Sequence, residues 1–403
     1  MKKSLLAVAV LGAFAGSALA ADVTLYGVVD TSLNYTHTQT KATGKSKVKT
    51  NNFSMESGRQ AGSRWGLKGV EELGNGWKVG FVLEDGIKSD TGVDSDVMFD
   101  REAVLYVDGP FGRLYAGRQG SMMQGTGSVA KLGMLSAFGT SYSDYAANAS
   151  GTLVAATKRD NTLTYVSPKF AGFEVYAQYS MGKDGVENKS NSTKKWVETE
   201  AGSGAYYQTT DVSADRYAAL AATYSNGPLN LLLGVDRIFY GHDAGKDVDD
   251  SLTVTFGGNY DFGVAKVFGG VQYYDEVALS AAGTKEVDTF WDADTDYPTG
   301  EKVAKGGSYK AKGWGLTLSA SAPVAGGTLL VGAGYMDADE ADSMKDVTFE
   351  FKRVRATVGY SYPLSKRTNI YAAAGLGKDK TELKNSTTKQ DYATAMFGIR
   401  HNF

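Results

Sequence analysis

Hydrophobic and polar residues alternate along most of this chain in stretches of about ten. That is the period of a strand whose two faces meet different surroundings. In the first stretch Val23, Leu25, Val29, Leu33 and Tyr35 share one face, and Thr24, Tyr26, Asp30, Ser32 and Asn34 share the other. The same split recurs in Leu229-Leu231-Leu233-Val235, Leu252-Val254-Phe256, Trp314-Leu316-Leu318, Val354-Ala356-Val358-Tyr360 and Phe397-Ile399. The connections alternate too. Short turns fall around 72–76, 109–112, 168–172, 226–228, 261–263, 323–327 and 363–367. Longer polar stretches lie near 38–56, 86–98, 119–160, 181–215, 237–250, 275–310, 337–347 and 377–391. Seven short turns and eight long loops join sixteen strands. Short turns at one end and long loops at the other mark an all-β, antiparallel transmembrane barrel, with the turns periplasmic and the loops extracellular. Strands with one lipid-facing side also explain why average hydropathy resembles that of a soluble protein.

The chain start reads differently. Lys2 and Lys3 precede an apolar, Ala-rich run from Leu5 to Leu19, and Ala18-Leu19-Ala20 supplies small residues for cleavage. Residues 1–20 are therefore expected to be a secretory signal, leaving 21–403 as one barrel domain in the outer membrane. The run is shorter than the roughly 20 residues a spanning helix needs. There is no cysteine, so an exported fold must be held by something other than disulfides, and barrel closure is one such means. Of 42 basic residues two lie in the leader, leaving 40 against 45 acidic, a balance unlike that of a nucleic-acid binder.

Facing a charged side chain toward lipid at mid-bilayer costs roughly 2–4 kcal/mol, which sets the strand registers. With Trp65 and Leu67 outward, Arg64 and Lys68 line the interior. Val354 and Val358 outward put Arg353 and Arg355 inward, and Phe397 and Ile399 outward put Arg400 inward. Lys78, Lys266, Asp30, Glu84, Glu174 and Asp236 follow. Between Arg101 and Val107 either Arg101 or Glu102 could face in, and protein rather than lipid could cover the outer side. The acidic stretch 275–310 reads as a solvated loop surface. Residues 119–158 carry only Lys131, Asp144 and Lys158 as charges, among many Gly, Ala, Ser, Met and Tyr. Met122, Met123, Leu132, Met134, Leu135 and Phe138 suit a segment folded against the inner wall, narrowing the channel.

No catalytic residues are expected. His37, His242 and His401 have no triad context, Gly125-x-Gly127 precedes no helix, and no cluster has metal-site spacing in the pore, so no metal or cofactor is expected. Tyr26 and Tyr176 could form a sugar track, which would make the protein a substrate-specific channel instead of a general one.

Several segments resemble the general diffusion porins of Gram-negative bacteria, the betaproteobacterial-type family above all. They are Val23-Thr24-Leu25-Tyr26-Gly27, Ser63-Arg64-Trp65-Gly66-Leu67-Lys68-Gly69, Glu71-Glu72-Leu73-Gly74, Asp100-Arg101, Phe111-Gly112-Arg113, Gly117-Arg118-Gln119, Arg159-Asp160-Asn161-Thr162, Ser167-Pro168 and the terminal Gly398-Ile399-Arg400-His401-Asn402-Phe403. The resemblance implies a homotrimer with one pore per subunit, partnered by outer-membrane lipid and lipopolysaccharide and passing small hydrophilic solutes and ions. It implies that the third loop folds inward, and that Phe403 signals to the barrel-insertion machinery. It also matches Arg64, Arg101 and Arg159 to a basic cluster opposite that loop, turns Arg101 inward, and puts Arg118 where wall and loop meet. Enterobacterial-type porins carry acids in this loop. The corresponding Gly133-Met134-Leu135-Ser136-Ala137-Phe138-Gly139 has none, leaving Asp144 as the loop's one acid. Unopposed arginines in a narrow channel favour anions.

Overall fold

The structure is a computed structural model that describes residues 23–93, 97–142, 149–181, 195–198, 206–209, 215–240, 249–280, 308–344 and 348–403. The expected leader, Asp144, His242 and most of the acidic stretch 275–310 lie outside these residues. The strands are β1 (Thr24–Ala42), β2 (Val48–Ser57), β3 (Arg64–Gly74), β4 (Trp77–Gly86), β5 (Glu102–Gly109), β6 (Gly112–Gly120), β7 (Lys158–Val166) and β8 (Phe173–Ser180). A separate two-stranded ribbon, β9 (Lys195–Glu198) with β10 (Tyr206–Thr209), follows. Then come β11 (Arg216–Asn226), β12 (Leu229–Phe239), β13 (Leu252–Asp261), β14 (Lys266–Ser280), β15 (Ser308–Val324), β16 (Gly327–Glu340), β17 (Phe349–Pro363), β18 (Thr368–Leu383) and β19 (Ser386–Asn402).

Every neighbour in the large sheet is antiparallel, and β1 pairs with β19 to close it. Seventeen strands make sixteen staves, because β2 and β3 occupy one place. β1 pairs with β2 through Thr31–Thr40 and with β3 through Thr24–Val28. Between them residues 58–63 leave the wall. Gly58 makes the departure with φ +75, a backbone state that side chains rarely tolerate. Asp30 holds the excursion: its carboxylate accepts Gln60 N at 2.8 Å and Ala61 N at 2.6 Å, and its carbonyl accepts Gly58 N at 2.9 Å.

Alternation maps onto the wall as the pattern predicts. Along β18, Ala372, Ala374 and Leu376 are exposed while Tyr371, Ala373 and Asp379 are buried. Exposed large apolar side chains such as Leu105, Leu114, Leu163, Leu220, Leu233, Phe256, Leu318 and Phe397 form the outer band. Aromatic pairs flank it, Trp77–Phe111 and Tyr260–Phe262 at the turn end and Trp314–Tyr335 toward the loop end. An apolar belt between aromatic girdles is the outside of a membrane barrel.

The seven short turns fall where expected. Some long connections do not, since strands invade them. β1 runs to Ala42 and β2 starts at Val48, so the stretch 38–56 is mostly an extended hairpin. Likewise β18 and β19 are joined by residues 384–385 alone. Polar residues there pair as strand because both faces meet water above the membrane, where apolar alternation is not required.

Candidate pore constriction

The chain leaves β6 at Gly120 and returns at Lys158. Between them the described residues lie against the inner wall, as their low charge and apolar content suggest. Met122, Met123, Leu132, Leu135 and Phe138 are buried. Leu135 packs where Gly257 and Gly270 leave room, and Phe138 packs against Gly332 and Gly359. Inward polar side chains stand in for a strand partner. Gln178 accepts Met122 N at 3.1 Å, and Asn259 donates to Met134 O at 3.1 Å. Ser319 accepts Ala137 N at 2.8 Å. Gln272 meets both backbone groups of Val154. The loop also touches the excursion, since Tyr142 N donates to Arg59 O and the Gln60 amide donates to Tyr142 Oη at 2.7 Å. Backbone groups taken from water are thereby satisfied along the loop, as a buried segment requires.

Between this loop and the wall of β2–β5 lies a cavity of about 710 Å³. Its charged lining is Arg59, Arg64, Lys68, Lys88 and Arg101 against Glu56, Glu84 and Glu102, while the described residues of the loop contribute Gly125, Thr126, Gly127, Ser128, Thr140 and Ser141. Glu84 is shared: Arg101 Nε is 2.7 Å from one oxygen and Arg64 Nε is 3.2 Å from the other. Tyr26 donates to Glu84 at 3.1 Å, and Lys68 Nζ sits 5.1 Å from the Tyr26 ring centre. Glu102 is occupied: it accepts from Ser128 N and Ser128 Oγ of the loop and from Gln119 Nε2 of β6. Arg59 pairs with Glu56.

The Arg101–Glu102 ambiguity resolves in favour of both. Glu102 is on the inward register of β5. Arg101 precedes the strand, so alternation does not bind it, and its guanidinium swings in to Glu84. Arg64 and Arg101 therefore come together. Arg159 does not join them. It faces inward on β7 opposite Gln119, stacked 5.1 Å from the Tyr217 ring centre. Arg118 departs further. Along β6 it shares the outward register of Leu114 and Ala116, across from Ala103, where it pairs with Asp160 and donates to Asp100 O. Lys131, in the loop, lies 4.5 Å over the Tyr176 ring, where burial pushes its ammonium pKa down.

The other expected lining residues face inward, but three of them are buried away from the channel. Asp30 anchors the excursion and accepts Tyr371 Oη at 2.6 Å. Arg353 and Arg355 both grip Asp379 in two-bond pairs, and Arg353 also donates to Gly151 O of the loop. Lys78, at the turn end, pairs with Glu72 at 2.6 Å. Phe403 closes the barrel, exchanging backbone bonds with Gly27. Alternation tells in from out, but not lumen from loop-covered wall. The residues missed by the sequence reasoning, Arg59 and Lys88 in the cavity with Glu84, sit on or next to the excursion, whose one sequence trace is the pair Gly58 and Gly62 flanking it.

These features agree with known proteins. A family model described as Gram-negative porin matches residues 7–382. An outer membrane porin protein of Bordetella pertussis is 30% identical over the full length of both chains. Outer membrane porin protein 32 of Delftia acidovorans is 28% identical over 94% of this chain and 90% of its own. Among solved structures, an anion-selective porin from Comamonas acidovorans superposes with a TM-score of 0.60 at 24% identity, covering 95% of this chain and 100% of that one. The sixteen-stave barrel, its inward loop and these matches lead to one conclusion: the chain belongs to the family of Gram-negative porins, channels of the outer membrane and not enzymes.

Proposed function

We propose that this outer-membrane porin admits small hydrophilic solutes with a preference for anions, and that Arg64 and Arg101 set that preference. The observation that carries this reading is their sharing of one carboxylate, Glu84, within a cavity lined by five cations and three acids. A narrow space with low-dielectric walls focuses such an excess. Among the described residues the loop edge facing it carries no charge to oppose the arginines. The porin from Comamonas acidovorans that shares this fold is anion-selective. Tyr26 and Tyr176 are engaged by Glu84 and Glu174, which favours general diffusion over a sugar track.

The same reading makes the working unit a homotrimer, exported with residues 1–20 removed and inserted with help from Phe403. Bilayers holding the purified channel in a KCl gradient test the central claim: the zero-current potential takes the sign set by chloride diffusion. A potential of the opposite sign overturns it.

A further inference from the structure

Three arginines take their places from the short excursion at residues 58–63. Arg59 lies on it. Arg64 Nη1 donates to Gly62 O at 2.8 Å, and the Arg101 guanidinium lies against Gly62, where a Cβ would stand 3.1 Å from its Nη1. All three arginines line the cavity between wall and loop.

The excursion is held from three sides. On β1, Asp30 accepts Gln60 N and Ala61 N through its carboxylate, and Ser63 Oγ both donates to Asp30 O and accepts Asp30 N, each at 3.0 Å. On β18, Tyr371 Oη takes the other carboxylate oxygen of Asp30, and Asn369 donates to Gln60 Oε1 at 2.8 Å. From the inward loop, Tyr142 N donates to Arg59 O at 2.6 Å. Arg59 thus stands at the corner where loop and excursion meet, with Thr140 and Ser141 in the same cavity lining. Its partner Glu56 accepts Ser54 Oγ at 2.7 Å. Asp30 itself is fully buried, and a buried carboxylate is tolerated when donors take its lone pairs, as these three do.

We propose that the excursion is a second jaw of the constriction. Arg59 is a specificity-determining residue for anions, and Asp30 is the positioning residue that sets where Arg59, Arg64 and Arg101 stand. This deepens the anion preference of the pore and rests on it. Arg159, matched to the basic cluster by resemblance, lies on β7 against Tyr217, so Arg59 supplies the third guanidinium of the cavity. Arg59→Glu would turn five cations against three acids into four against four, removing the excess that a narrow space focuses.

The two roles open to Asp30 differ in sign. Were it only a negative charge beside the pore, Asp30→Asn would make the channel more anion-selective. As a positioning residue its loss frees the excursion and disperses the arginines, so chloride preference falls although a negative charge has gone.

The chain has no cysteine, so Arg59→Cys carries a single thiol. The full-length purified channel is read in planar bilayers under a KCl gradient. Arg59→Cys should lower the chloride-to-potassium permeability ratio about twofold or more. A methanethiosulfonate reagent bearing trimethylammonium should bring the ratio back toward that of the unaltered channel, and one bearing sulfonate should push it lower still. No shift with either reagent, on protein whose mass shows the adduct, overturns the role of Arg59. Asp30→Asn should lower the ratio, and an unchanged or raised ratio overturns the role of Asp30. Tyr371→Phe removes one donor to Asp30 and no charge; it should move the ratio the same way by a smaller step, and it keeps the test open if the Asp30→Asn barrel does not fold, as read from mobility on unheated gels. A cation-selective unaltered channel would remove the anion preference set out above, yet the two reagents would still move the ratio in opposite directions if Arg59 lines the constriction.

Discussion

The side chain of Gln272 on β14 holds the backbone of Val154 in the inward loop as a neighbouring strand would. Val154 N donates to Gln272 Oε1 at 2.6 Å, and Gln272 Nε2 returns a bond to Val154 O at 2.9 Å. Gln272 is fully buried, so neither group of Val154 has water to fall back on if the amide is removed. Gln272→Leu should strand both, costing about 1–3 kcal/mol for each unsatisfied group. Single-channel recordings should then show larger, noisier openings as the loop loosens. A trace indistinguishable from the unaltered channel would mean the loop is held elsewhere.

Glu84 tempers the two arginines it bridges. Replacing it by Gln removes one negative charge and leaves both guanidiniums in the cavity, so the zero-current potential in a KCl gradient should move further toward chloride's. Arg64→Glu and Arg101→Glu should move it toward potassium. Arg159→Glu should move it less than either, because Arg159 lies on another stretch of wall against Tyr217 and does not line the cavity with Glu84. An Arg159 effect as large as that of Arg101 would place the selective point deeper along β7.

Asp379 is the shared counterion of Arg353 and Arg355, and all three are buried. Asp379→Asn should leave two charged groups without their counterion, a loss of about 3–5 kcal/mol for a broken buried pair. Urea unfolding followed by tryptophan fluorescence should show the midpoint fall. Selectivity should hardly change, since these arginines do not line the cavity.

Gly27 and Phe403 make the closing contact of the barrel. A Cβ on Gly27 would stand 2.3 Å from the Phe403 ring and 2.6 Å from Arg64 O, and the second of these is backbone that cannot swing aside. Gly27→Val should therefore lower the temperature at which the barrel loses its resistance to detergent denaturation, read as a shift in mobility on unheated gels. An unaltered transition would show that the last residue can dock elsewhere at no cost.

Much of the barrel was legible because two solvents impose a strict rule on every second residue. Val354 and Val358 had to face lipid, so Arg353 and Arg355 had to face in, and the seven tight turns announced themselves through Gly, Pro and Asn. The same rule is silent where both sides are wet. The polar stretches at 38–56 and 377–391 read as loops although they carry paired strand, for a hairpin above the membrane needs no apolar face.

The sequence by itself determined the fold class, the stave count and the direction of charges within the apolar strands, such as Arg64, Arg353 and Arg355, because a misfaced charge in hydrocarbon costs more than local preference offsets. Only the tertiary structure decided which inward charges meet the channel. Whether Arg353 meets the loop at Gly151 and is held by Asp379, or Arg101 reaches Glu84 from beyond its strand, depends on contacts between residues far apart in the chain. Arg118, expected where wall and loop meet, follows Leu114 and Ala116 to the outer face and is held there by Asp160. Alternation fixes a direction; what waits in that direction is set by how the loop and the excursion at 58–63 fill the barrel.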